Sequence, residues 1–102
     1  MESLFKSNWE QVAIDLGQIQ QKKTVTVTFK RKEDSPRIVK VIVSCNCMLA
    51  QARETEVEVQ FTPARIPKHL EYQGFYIVTK RVNVVYEDAS FDELIFIAKI
   101  TR

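Results

Sequence analysis

Apolar and polar side chains alternate along most of this chain, and a period of two predicts strands. Thr24 to Lys30 places Val25, Val27 and Phe29 on one face and threonines, which favour the pleat, on the other. Thr55 to Thr62 repeats the pattern, with Val57, Val59 and Phe61 inward and Glu56, Glu58 and Gln60 in water. The last strand, Asp92 to Thr101, has Leu94, Phe96, Ala98 and Ile100 as its inward set. Val12, Ile14 and Leu16 form a first strand that Gly17 closes with a turn.

The longest apolar run, Arg37 to Met48, ends in a Cys-x-Cys pair. Val39, Val41, Val43, Cys45 and Cys47 share one parity, while Ile38 and Ile42 take the other. Apolar on both sides in places, this segment reads as a central strand. Lys32 to Pro36 is a turn before it, and Met48 to Glu54 is a crossing segment with room for a short strand. Pro63 to Gly74 is a long loop, and Phe75 to Tyr86 is a long strand with a bend expected near Lys80 and Arg81. About seven strands with turns at regular intervals predict an all-β fold, an immunoglobulin-like β-sandwich, with a small closed barrel as the competing architecture.

Only one domain fits in 102 residues. Residues 1–10, with Leu4, Phe5 and Trp9, read as an N-terminal arm, and 11–102 as the sandwich. Hydrophobic residues at 45% and charged ones at 27% place the chain among globular proteins rather than disordered ones. The net charge of +2 is too balanced for a typical nucleic-acid binder, because Glu33, Asp34, Glu87 and Asp88 sit near the basic clusters. The first ten residues show no secretory signal and no stretch is long enough to cross a bilayer. The expected location is therefore the host or cell cytoplasm.

The landmarks resemble an uncharacterised bacterial family of immunoglobulin-like domains, related to the abnormal-spindle and hydin-type modules. Ile14-Asp15-Leu16-Gly17 is similar to that family's Phe-Asp-Phe-Gly opening, and Ser44-Cys45-Asn46-Cys47-Met48 to its Ser-Cys-Gly-Cys-Thr. Val57 to Phe61 is similar to its Ile-x-Val-x-Phe strand, so the likeness spans roughly residues 12–101. Asn46 and Met48 depart from the pattern, and the family's Pro-Gly-Glu turn is absent. A single module without a leader is also similar to immunoglobulin-like accessory proteins of tailed-phage virions. That likeness implies a structural role, with incorporation into a virion.

Chemistry is sparse. Two glycines cannot build a phosphate-cradling loop, and the single histidine, His69, lies in the long loop. Cys45 and Cys47 lack two further soft ligands for a metal site, and the extended geometry assigned to them sets them at the limit for bridging. They are expected to be core residues. No cofactor is expected, and the chain is expected not to be an enzyme.

Apolar residues on the outward parity carry more information. Ile38, Ile42, Val85, Ile95 and Ile97 face away from the inward sets and need cover from this chain or from a partner. Leu4, Phe5 and Trp9 would anchor in a neighbour's groove. Arg65, Ile66, Lys68, His69, Leu70 and Tyr72 make the loop a second contact candidate. These features predict contact with other assembly subunits or with copies of the chain itself, and no membrane role. Two alternatives compete: a small redox or metal-handling domain using Cys45 and Cys47, and an oligonucleotide-binding barrel using Phe75, Tyr76, Lys80 and Arg81.

Overall fold

A computed structural model describes residues 8–32 and 35–102. Among these residues seven strands form: β1 (Ala13–Gln20), β2 (Val25–Lys30), β3 (Ile38–Val43), β4 (Met48–Ala52), β5 (Glu56–Phe61), β6 (Phe75–Tyr86) and β7 (Phe91–Thr101). They make a four-stranded sheet in the order β1-β7-β6-β3 and a three-stranded sheet in the order β2-β5-β4. This is an immunoglobulin-like sandwich of two separate sheets rather than a closed barrel.

The core is built by the strands whose alternation is unbroken. Val27, Phe29, Val57, Val59 and Phe61 from one sheet meet Val82, Val84, Leu94, Phe96 and Ile100 from the other, all at 2% exposure or less. Phe61 and Phe96 meet edge to face with centroids 5.2 Å apart. β6 and β7 pair from Phe75 to Val85 without a register shift, so no irregularity marks Lys80 and Arg81. At the start of β6 the Tyr76 hydroxyl donates to the carbonyl of Ala64 at 2.7 Å, pinning the 63–74 connection to the sheet.

Two β-bulges change the parity expected from the sequence. In β3 an extra residue, Val39, falls between Ile38, opposite Tyr86, and Lys40, opposite Val85. The bulge turns Val39 out to 60% exposure and brings Ile38 round to pack on the core with Val41 and Val43. β3 is also an edge strand, not a central one. In β1, Gly17 does not end the strand. It adopts φ +68° inside a bulge between Asp15 and Gln18, with its N–H donating to Asp15 Oδ1 at 2.8 Å. A Cβ meets no atom within 4 Å at Gly17, so the left-handed backbone alone favours glycine there. The bulge lets Ile14 and Ile19, five residues apart, both reach the core.

The sandwich begins before residue 11. Trp9 bridges Arg31 in antiparallel fashion, with Glu10 N–H donating to Lys30 O and Lys32 N–H to Asn8 O. Residues 8–10 thus run beside the end of β2, and the chain then crosses to the other sheet, where β1 runs parallel to β7.

Candidate functional site

The outer faces of the two sheets differ in chemistry. On the three-stranded sheet, Thr26, Thr28, Glu58, Gln60 and Gln51 point outward, a polar set interrupted by Leu49, which lies beside Gln60 at 70% exposure. The four-stranded sheet presents Ile42, Ile77, Phe91 and Ile97 at 43%, 64%, 69% and 40% exposure, with Val85 and Ile95 half-buried among them. In register, Phe91 lies beside Val85, Ile95 beside Arg81, Ile97 beside Thr79, and Lys99 beside Ile77. Arg81 pairs with Glu93 at 3.5 Å, and the Lys99 ammonium sits 4.4 Å from the centre of the Phe75 ring. Exposed β-branched and aromatic side chains on a regular sheet cannot retreat from water, because the next residue in each strand already fills the core.

The residues expected to make contacts divide. Ile42, Ile95 and Ile97 share this face, whereas the bulge removes Ile38 from it. Ile77 and Phe91 join the face although sequence reasoning passed over them. Phe91 shares its parity with Ile95 and Ile97, and Ile77 lies between Tyr76 and Val78, both packed on the core, so alternation alone marks both. On the 63–74 connection, Arg65, Lys68, His69 and Tyr72 are exposed, with Lys68–Leu70 forming a short 3-10 turn. Ile66 is instead buried at 6% exposure, its N–H donating to Gln21 Oε1 at 2.9 Å. Leu4 and Phe5 lie outside the described residues.

Trp9 corrects the expectation of an arm reaching for a neighbour. It is 1% exposed and belongs to the chain's own core. Its indole Nε1 donates to the Tyr86 hydroxyl at 2.9 Å and to Asp92 Oδ2 at 3.0 Å, and the Tyr86 hydroxyl donates to Asp92 Oδ2 at 2.5 Å. Asn8 Nδ2 donates to the same oxygen at 3.3 Å, and the Arg31 guanidinium lies 5.9 Å from the indole centre. Arg31 also donates to the carbonyls of Glu54 and Pro36, tying two turns over the indole.

Burial first, and then the bond to Asp92, push the Tyr86 phenol up to about 12 from its ordinary 10.0. The unfolded chain releases this proton earlier, so the stabilisation is complete below pH 10 and is lost as pH rises toward about 12. Urea midpoints measured across that range are expected to fall more steeply for the wild type than for Tyr86→Phe. Equal slopes would contradict the assignment.

Cys45 and Cys47 form a disulfide with their Cα atoms 5.3 Å apart. They do not continue β3 as an extended row. The chain turns between β3 and β4, which shortens the separation below the roughly 6.6 Å of two extended residues. Cys47 O accepts from Thr62 N–H at 2.9 Å, fixing the turn that carries the chain from one sheet to the other. A closed loop this short constrains the unfolded chain little, so reduction is expected to cost only about 1–2 kcal/mol. Dithiothreitol should add the mass of two hydrogens with the fold retained, as read by circular dichroism. Unfolding on reduction would show that the turn depends on the bond.

Among the described residues, no three His, Cys, Asp or Glu side chains gather as a metal ion would require. The four residues of the oligonucleotide reading are split. Phe75 and Arg81 share the outward parity of β6, while Tyr76 and Lys80 share the inward parity of Val82 and Val84. They form no common stacking platform.

Fold and surface together define an immunoglobulin-like sandwich with one largely polar outer face and one that sets exposed apolar side chains among charged ones. The chain matches no protein-family model, and no curated protein matches it.

Proposed function

We propose that the chain is a non-enzymatic interaction module, a connecting or decorating subunit of a larger protein assembly. The observation that carries this reading is the cluster of exposed apolar side chains on the outer face of β7, β6 and β3, set against an outer face on the other sheet where Leu49 is the one large exposed apolar side chain among the described residues. Rigid strands hold the face in one shape, so docking costs little ordering entropy. The exposed Lys68, His69 and Tyr72 at one end of the sandwich supply a second, polar contact element. A phage virion is one such assembly, proposed from the likeness of a single short module to the immunoglobulin-like accessory proteins of tailed-phage virions.

Site-specific photocrosslinking in the cells that naturally make the protein tests this reading. A benzophenone side chain at Ile97 is expected to give protein adducts, while the same group at Thr28, on the opposite outer face, gives few. Equal yields from both positions, or none from Ile97, would overturn it.

A further inference from the structure

We infer that the outer face of the four-stranded sheet binds a second copy of this chain, face to face about a two-fold axis. This inference rests on the interaction-module reading and names the partner. Its basis is the order of side chains along β7, whose outward set runs Phe91, Glu93, Ile95, Ile97, Lys99, Thr101. An acid and a base stand symmetrically on either side of an isoleucine pair. A two-fold axis lying across the strands at the level of Phe96, whose register partner is Lys80, exchanges these positions. Glu93 of one copy then faces Lys99 of the second, Lys99 faces Glu93 in return, and Ile95 covers Ile97. On β6 the same axis brings Val85 over Phe75. The stretch from Glu93 to Lys99 is complementary to its own reverse, while Phe91 comes to lie over Thr101 and Ile77 over Asn83.

Geometry and size agree with that pairing. Stacked sheets lie about 10 Å apart, a gap that glutamate and lysine side chains bridge from opposite sides. The strands β1, β7, β6 and β3 hold 8, 11, 12 and 6 residues, and at roughly 3.4 Å per residue and about 4.8 Å between strands they give a face of roughly 600 Å², within the range of a small standard interface. A standard interface takes about 800 Å² from each partner. Lateral growth through strand edges is opposed, because bulges interrupt both edge strands of this sheet, at Val39 in β3 and at Gly17 in β1. The face, not the edge, is left to associate.

Charge exchange distinguishes this arrangement from any other use of the face. Analytical ultracentrifugation of the whole chain over a concentration series should show a monomer–dimer equilibrium. Glu93→Lys and Lys99→Glu should each weaken it about tenfold or more, since each places like charges opposite one another twice. Mixing the two variants should restore dimers, because both contacts again join opposite charges, and the E93K/K99E double variant should dimerise by itself. Circular dichroism confirms that each variant is folded, and Ile97→Arg provides a second disruption that leaves both charges in place. A wild type that stays monomeric, or single variants whose mixture stays monomeric, would overturn the inference. The interaction-module reading is tested separately by the mass of the Ile97 crosslink. An adduct of twice the chain mass supports both readings, an adduct with a different protein overturns self-association alone, and no adduct overturns both.

Discussion

Replacing Trp9 with alanine is expected to lower the unfolding free energy by about 3–5 kcal/mol, the usual cost of emptying a large aromatic site in a core. Trp9 is buried at 1% exposure and is the sole tryptophan. The substitution removes its packing and takes a donor away from both Tyr86 and Asp92. Trp9→Phe keeps most of the volume and loses only the indole donor, so it should cost about 1–2 kcal/mol. Urea unfolding followed by circular dichroism checks both values. In the wild type, tryptophan fluorescence should report the same transition, because the indole enters water when the fold opens. A loss below about 1 kcal/mol for the alanine variant would mean that residues 8–10 are not part of the sandwich.

Adjacent residues of β7 should give opposite results. Phe96→Ala is expected to cost about 3–5 kcal/mol, since Phe96 is fully buried between the sheets against Phe61. Ile97→Ala, one residue on and at 40% exposure, should change the stability of the single chain by less than about 0.5 kcal/mol. On the proposed reading its effect falls on association. The comparison is best made in dilute solution, where linkage to binding does not add to the folding signal. If both substitutions cost alike, the face of Ile97 is covered within the chain and cannot serve as a contact surface.

Alternation made the core legible wherever register continues unbroken. The inward sets of β2, β5 and β7 follow from parity alone, as does the outward placement of Ile95 and Ile97. The same rule misplaced Val39 and Ile38, because one inserted residue breaks the parity between the two sides of a bulge, so that Ile38 changes face while Val41, Ile42 and Val43 keep theirs, and nothing in a run of Ile, Val and Lys announces it. Gly17 was recognisable as a left-handed residue, but a turn and a bulge use the same backbone freedom. Trp9 looked like a free anchor because its partners, Tyr86 and Asp92, lie 77 and 83 residues away in sequence. The disulfide was obscured by the extended geometry assigned to Cys45 and Cys47. Once the chain turns, the bridging distance is met.

The candidate surface was visible in part for the same reason. Residues of unbroken strands could be assigned to a face, while the 63–74 connection could not. There Ile66 tucks inward under a backbone bond to Gln21, and Tyr72 stands out at 84% exposure. Local sequence does not distinguish these two fates, which depend on contacts with β1 and its following turn.

If function resides in the outer face of the four-stranded sheet, as proposed, the most direct measurement is the size of the complexes that carry the chain. Ile77, Phe91 and Ile97 can be replaced together by threonine, giving this face the character of the polar one without touching the core. In extracts of cells that naturally make the protein, size-exclusion chromatography should find the tagged wild type well above the mass of one chain and the folded triple variant at that mass. A triple variant that elutes with the wild type would contradict the account.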